Sequence, residues 1–193
     1  MCVDDIIEKM KQHEILELRT EGDPILQEQC RRLTMREILS DDIQNLIDSI
    51  KYTCDKKKYG VGLSANQAGH SVAVSVIAIK PTPSRPNLNI FDKVLINTEI
   101  VETFGDKELM WEGCQSATQD ENGEPAMAQV PRWTKVRIKY LDRAGLEQDE
   151  IIEGFVAHVA QHETDHLNGI LFTDLISENS LITNEEYRRR LSS

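Results

Sequence analysis

His162, Glu163 and His166 form an HExxH motif. Residues four apart leave the same face of a helix, so both imidazoles can reach one metal ion, with the intervening glutamate beside them as a proton acceptor. That combination points to metal-assisted hydrolysis, in which an ion activates water and polarises a carbonyl. A hydrolytic metal usually has three protein ligands and one open position, so a third donor must come from elsewhere in the chain. Cys114, in Trp111-Glu112-Gly113-Cys114-Gln115-Ser116, is one candidate. A lone cysteine is more often a small buried hydrophobe than a ligand, and its immediate neighbours do not overturn that.

The element that must carry the motif runs from Phe155 to Leu167, where Phe155, Val156, Val159, Ala160 and Leu167 fall on overlapping faces before a C-cap at Asn168-Gly169. This pattern predicts a buried helix. Further upstream, Ile43, Leu46, Ile47 and Ile50 recur at i, i+3, i+4 and i+7, predicting an amphipathic helix from Asp41 to Cys54 with Ser40 or Asp41 as its cap. Gly60 to Gly69 (GVGLSANQAG) reads as a loop or irregular strand feeding a strand over Val72 to Ile79. Pro81, Pro83 and Pro86 break regularity, after which Val94 to Val101 is a second strand. Val136, Ile138 and Tyr140 alternate with Arg137 and Lys139 as a third, and Gly145 marks a turn. Thr183-Asn184-Glu185-Glu186 is a capping-box pattern opening a short charged helix after about residue 183. Together these elements predict an α+β fold, with mixed or antiparallel strands packed around a central HExxH-bearing helix, in a single domain over residues 1–193.

Bulk properties narrow the function classes. A chain of 193 residues that is 39% hydrophobic and 28% charged supports one well-buried core. Its formal charge of −11 disfavours DNA or an anionic membrane as partner. The one basic cluster, Arg188 to Arg190, reads first as a solvated helix end and only second as a weak ribosome contact. No apolar run reaches the roughly 18 residues of a membrane helix, and Met1 to Asp5 is acidic where a signal peptide is basic, so a cytoplasmic protein is expected. Cys2, Cys30, Cys54 and Cys114 have no framework spacing, which fits reduced thiols.

Three separate segments resemble, in order, the three motifs of peptide deformylases: Gly60-Val61-Gly62-Leu63-Ser64-Ala65-Asn66-Gln67, Glu112-Gly113-Cys114-Gln115-Ser116 and Gln161-His162-Glu163-Thr164-Asp165-His166-Leu167. Gly22-Asp23-Pro24-Ile25-Leu26 and Gly169-Ile170-Leu171-Phe172 also resemble family segments, so the likeness covers most of the chain. The resemblance implies that Cys114, His162 and His166 hold one divalent metal, natively Fe²⁺, with Zn²⁺, Ni²⁺ or Co²⁺ tolerated by such a ligand set. It implies Glu163 as the proton-transferring residue, with the Gln67 side chain and the Gln115 backbone N–H as oxyanion donors. Val61 and Gly62 would pair with the substrate as an added strand, Gly60 and Gly62 allowing close approach. Met110, Glu112, His158 and Arg132 fall at substrate-binding positions, and Asp165 would either orient a ligand histidine or be solvated. The implied activity is removal of formyl from the N-terminal methionine of nascent chains.

The chain departs from the family pattern at several positions. Gln115 replaces a usual leucine and His158 a usual aliphatic residue in the methionine pocket, whereas Met110 and Val159 stay apolar. His158 lies about 6 Å along the helix from His162. It has three readings: a substrate contact, a support for the ligands, or a satisfied core histidine. Ser64 stands where alanine is usual, and a long polar stretch, Ala117 to Gln129, follows the cysteine motif. Three other readings therefore stand beside a formyl-peptide deformylase. One is a deformylase-like amidase with an altered pocket. Another is a zinc endoprotease whose third ligand is Glu186, which lies 20 residues past His166 in the manner of some zinc proteases. The last is a non-catalytic metal-binding module.

Overall fold

The computed structural model describes residues 15–57, 61–82 and 86–191. The sequence readings at Met1 to Asp5, including Cys2, and at Gly60 and Pro83 lie outside the described residues. Strands β1 (Gly62–Ser64), β2 (Val74–Ile79), β3 (Phe91–Glu112), β4 (Ala128–Leu141) and β5 (Glu147–Glu153) form a five-stranded sheet in chain order, and every pairing is antiparallel. Helices α1 (Asp41–Lys56), α2 (Gly154–Leu167) and α3 (Asn184–Leu191) complete the frame, making the fold α+β with the strands antiparallel throughout rather than mixed.

All six residues of β2 are buried, which explains why its sequence is a near-continuous Val/Ile run rather than a clean alternation. One side, Val74, Val76 and Ala78, packs with Ile47, Ile50 and Cys54 of α1. The other, Ile77 and Ile79, packs with Ala157, Val159 and Ala160 of α2 and with Ile138 and Ile152. Ser40 caps α1 by accepting from Ile43 N–H, and the helix extends to Lys56, slightly past its expected end. At the far end of α2, Gly169 takes φ +73°, where an added Cβ would sit 2.6 Å from the backbone of Gln27. Glycine is required there on both counts.

Strand β3 extends well beyond the expected Val94 to Val101. Its first part pairs with β2 and its remainder runs on beside β4 to Glu112, with register shifts after Ile96, Ile100 and Phe104. The continuation is charged and largely exposed, so its strand character comes from pairing rather than from apolar alternation. Strand β5 is acidic and has no sequence signature; its ladder to β4 and the ion pair of Arg137 with Asp149 hold it. The polar stretch after the cysteine motif is partly buried, since Ala117 and Ala128 pack with Cys114, Val130 and Phe172, and Met127 bridges to Ile182.

Candidate metal centre

Helix α2 brings His162, Glu163 and His166 beneath the ends of β1 and β3. The two imidazoles meet edge-on, with ring centroids 4.8 Å apart. Cys114 arrives just beyond the last residue of β3, through Gly113, where a Cβ would sit 2.4 Å from the Met127 sulfur. Its Sγ lies 3.2 Å from His166 Nε2, and the ligand atoms of Cys114, His162 and His166 all fall within 4.8 Å of one another. His162 Nδ1 lies 2.7 Å from Glu112 Oε2, a contact that leaves Nε2 as the ligand nitrogen. Burial alone would push the Cys114 thiol up, but the His166 and His162 imidazoles beside it outweigh burial and hold it well below the ordinary thiol range. Burial likewise disfavours a charged His162, and its bonds to Cys114 and Glu112 more than compensate. A thiolate already favoured by its neighbours, with two imidazoles that converge on it, fits a single divalent metal.

Glu163 is buried beside this group. Burial pushes its carboxyl up, opposed by His162, His166 and a hydrogen bond from Ser64. Ser64 Oγ donates to Glu163 Oε2 at 2.7 Å. Gly62 touches the same carboxylate, and a Cβ there would lie 2.4 Å from Oε1. Gln67 follows β1 in a 3₁₀ turn, Ala65–Ala68, whose amide is fixed at both ends: Oε1 accepts from Ser64 N–H at 2.8 Å, while Nε2 donates to Cys114 Sγ at 3.3 Å and Ser116 Oγ at 3.2 Å. It is therefore a buried amide aimed at the cysteine, not a surface residue after a loop.

Behind the histidines lies a buried charge cluster centred on Glu112. Arg132 donates to both carboxylate oxygens, Nε to Oε1 at 2.6 Å and the terminal nitrogen to Oε2 at 3.1 Å, and His158 Nε2 lies 2.9 Å from Oε1. Burial would raise the Glu112 carboxyl, but His158, His162 and Arg132 hold it below the usual carboxylate range. His158 thus supports the residue that supports a ligand, and its ring nitrogen is satisfied within the protein. Arg132 also bonds to Asp165, so Asp165 orients neither ligand histidine directly and is only partly solvated.

The other sequence candidates distribute as follows. Val61 and Gly62 lie at the β1 edge of the sheet, Gly62 opposite Ile77. Met110 is half-buried opposite Val130, on the same side of β3 as Glu112. Gln115 is half-buried next to Cys114, its carbonyl accepting from Gln119. Val159 packs into the sheet-facing core. Glu186 is not at the centre: it accepts from Arg189 and Arg190 on α3, which corrects its candidacy as third ligand. Sequence reasoning passed over Ser75, whose hydroxyl lies 2.8 Å from that of Ser64, and Asn66, whose amide donates to the His166 carbonyl at 2.6 Å. The available signal was a serine inside the apolar run of β2.

Comparison with known proteins agrees with this geometry. The family model for polypeptide deformylase matches residues 15–181. Among curated relatives, peptide deformylase 2 of Nostoc sp. is 33% identical over 178 residues, covering 91% of this chain and 94% of its own length. The peptide deformylase of Halothermothrix orenii is 38% identical over 162 residues, covering 84% and 94%. A class I type b peptide deformylase from Acinetobacter baumannii, solved with Met-Ala-Ser bound, superposes with a TM-score of 0.77 at 32% identity, over 86% of this chain and all of that one. By sequence and by fold, the chain belongs to the polypeptide deformylase family.

Proposed function

We propose that this protein removes the N-formyl group from the N-terminal formylmethionine of nascent polypeptides, releasing formate. The observation that carries the reading is the convergence, on one buried spot, of a Cys-His-His ligand set, a carboxylate and a fixed amide donor. Cys114, His162 and His166 would hold a divalent metal, Fe²⁺ by family resemblance, which would supply Lewis acidity and ease the ionisation of the attacking water. Glu163 accepts a proton at its carboxylate and returns it to the leaving amine. Gln67 Nε2, with the Gln115 backbone N–H, stabilises the negative charge that develops on the formyl oxygen. Val61 and Gly62 offer the open β1 edge to the peptide backbone, a sequence-tolerant contact suited to many chains. Met110 shapes the methionine side, while Arg132 and His158 act from behind the histidines through Glu112, which holds His162.

The altered-pocket reading loses one of its two supports, because His158 Nε2 is bonded to Glu112 within the protein rather than left for a polar substrate. We also read the chain as one domain acting in the cytoplasm without a membrane or DNA partner. Among the described residues no helix is long and apolar enough to cross a membrane. A weak ribosome contact through Arg188 to Arg190 remains the secondary reading, although Arg188 pairs with Glu124, and Arg189 and Arg190 pair with Glu186.

The test is formate release from formyl-Met peptides by anaerobically purified protein, with metal content measured on the same sample. Wild type should release formate in proportion to bound metal, and Cys114→Ser should lose both. Metal-loaded protein that hydrolyses no formyl peptide would overturn the reading; retained metal and activity in Cys114→Ser would exclude the cysteine as an essential ligand.

A further inference from the structure

Strand β2 lines α2 with Ser75, Ile77 and Ile79, so Ser75 is a polar interruption in an otherwise apolar row. It pairs across the strands with Ser64 of β1, and both side chains are fully or almost fully buried. Two buried hydroxyls replace apolar surface at a cost unless they are bonded. Here they are bonded to each other and to Glu163: Ser75 Oγ to Ser64 Oγ at 2.8 Å, and Ser64 Oγ to Glu163 Oε2 at 2.7 Å.

Proton counting gives this chain a direction. Ser64 Oγ lies 2.7 Å from Glu163 Oε2 and 3.2 Å from the Glu163 main-chain oxygen, so its single proton points at this pair of acceptors, with Oε2 the nearer. Ser64 Oγ then has lone pairs only, and the Ser75 hydroxyl supplies the proton between the two serines. The relay runs Ser75 to Ser64 to Glu163. The other carboxylate oxygen, Oε1, faces Gly62 at the open edge of β1, where the absence of a Cβ leaves it room.

We propose that the Ser64–Ser75 hydroxyl pair is a positioning device for the Glu163 carboxylate, holding Oε2 and leaving Oε1 as the oxygen that exchanges the proton with substrate. This rests on Glu163 being the proton-transferring residue. Neither serine touches substrate; both act through the glutamate. An alanine at position 64 would leave the carboxylate without its hydroxyl donor, so the serine here adds a constraint on a group whose orientation matters to within a fraction of an ångström.

The test uses Ser64→Ala, Ser75→Ala and the double variant in the metal-loaded full chain. In Ser64→Ala, kcat should fall on the order of tenfold, short of the roughly 10²–10⁴ expected for total loss of a general base, with KM and metal content unchanged. Ser75→Ala should fall by about threefold, and the double variant should be no worse than Ser64→Ala, because the second hydroxyl acts only through the first. The double variant also removes both partners of the buried bond together, which protects the fold. Crystal structures of wild type and Ser64→Ala give a readout independent of turnover: the Glu163 carboxylate should hold one rotamer in the former and leave it, or populate several, in the latter. An unchanged Glu163 rotamer in Ser64→Ala, an unchanged kcat, or independent multiplicative losses in the double variant would each overturn the proposal. If wild type itself releases no formate, the deformylase reading fails, and the rotamer comparison still decides whether the serines position Glu163.

Discussion

Glu112 is the residue on which the ligand geometry depends. It is buried, it accepts from both forks of Arg132, and its two oxygens face His158 and His162. A buried carboxylate so surrounded is held ionised, and in return it fixes the ring of one metal ligand. Glu112→Gln is nearly isosteric but replaces one accepting oxygen with an NH₂ donor, which would face an Arg132 or histidine nitrogen that needs an acceptor. We expect metal affinity to drop by about 10–100-fold, read by competition with a chelator of known affinity. Unchanged affinity would mean that His162 keeps its orientation without Glu112.

At the scale of elements, the centre is a junction of β1, the end of β3 and α2, and β1 lies close against α2. Gly62 meets Glu163 so closely that a Cβ would lie 2.4 Å from Oε1 and 2.8 Å from the carboxyl carbon. Gly62→Ala therefore requires either the strand or the carboxylate to move. The side chain is the softer of the two, so the fold and the metal should survive while the base is displaced. A displacement near 1 Å costs on the order of 100-fold in turnover. Steady-state kinetics and metal analysis on one sample check this, and near-wild-type kcat would show that Glu163 relaxes without functional cost.

Across the whole molecule, the sheet is tied together by a cluster that spans three strands. Glu150 on β5 accepts from Lys93 on β3 and, at 2.6 Å, from the Tyr140 hydroxyl on β4. Burial would raise the Glu150 carboxyl, but Lys93 and Tyr140 outweigh it and hold it below its ordinary value. A depressed folded-state value contributes stability above the unfolded carboxyl value of about 4.3, and the contribution is lost as pH falls through the lower folded value. Wild type should thus be more stable than Glu150→Gln at neutral pH, with the gap closing as pH falls below about 4.3 and shrinking in high salt because the site is only partly buried. Urea denaturation across that range measures it; a gap independent of pH would assign the difference to packing instead.

Local geometry alone made parts of this protein legible. The i, i+4 spacing of His162 and His166 puts both rings on one side of any helix, and the apolar spacing from Ile43 to Ile50 defines α1, because such patterns depend only on the helical repeat. Family resemblance, not spacing, singled out Cys114, and tertiary structure brought it to the histidines from 52 residues before His166. The same holds for the acidic β5, the charged continuation of β3, the exclusion of Glu186, the bond that ties His158 to Glu112 and the serine pair behind Glu163. Each depends on which faces meet across the sheet, and a one-dimensional pattern encodes the faces but not their partners.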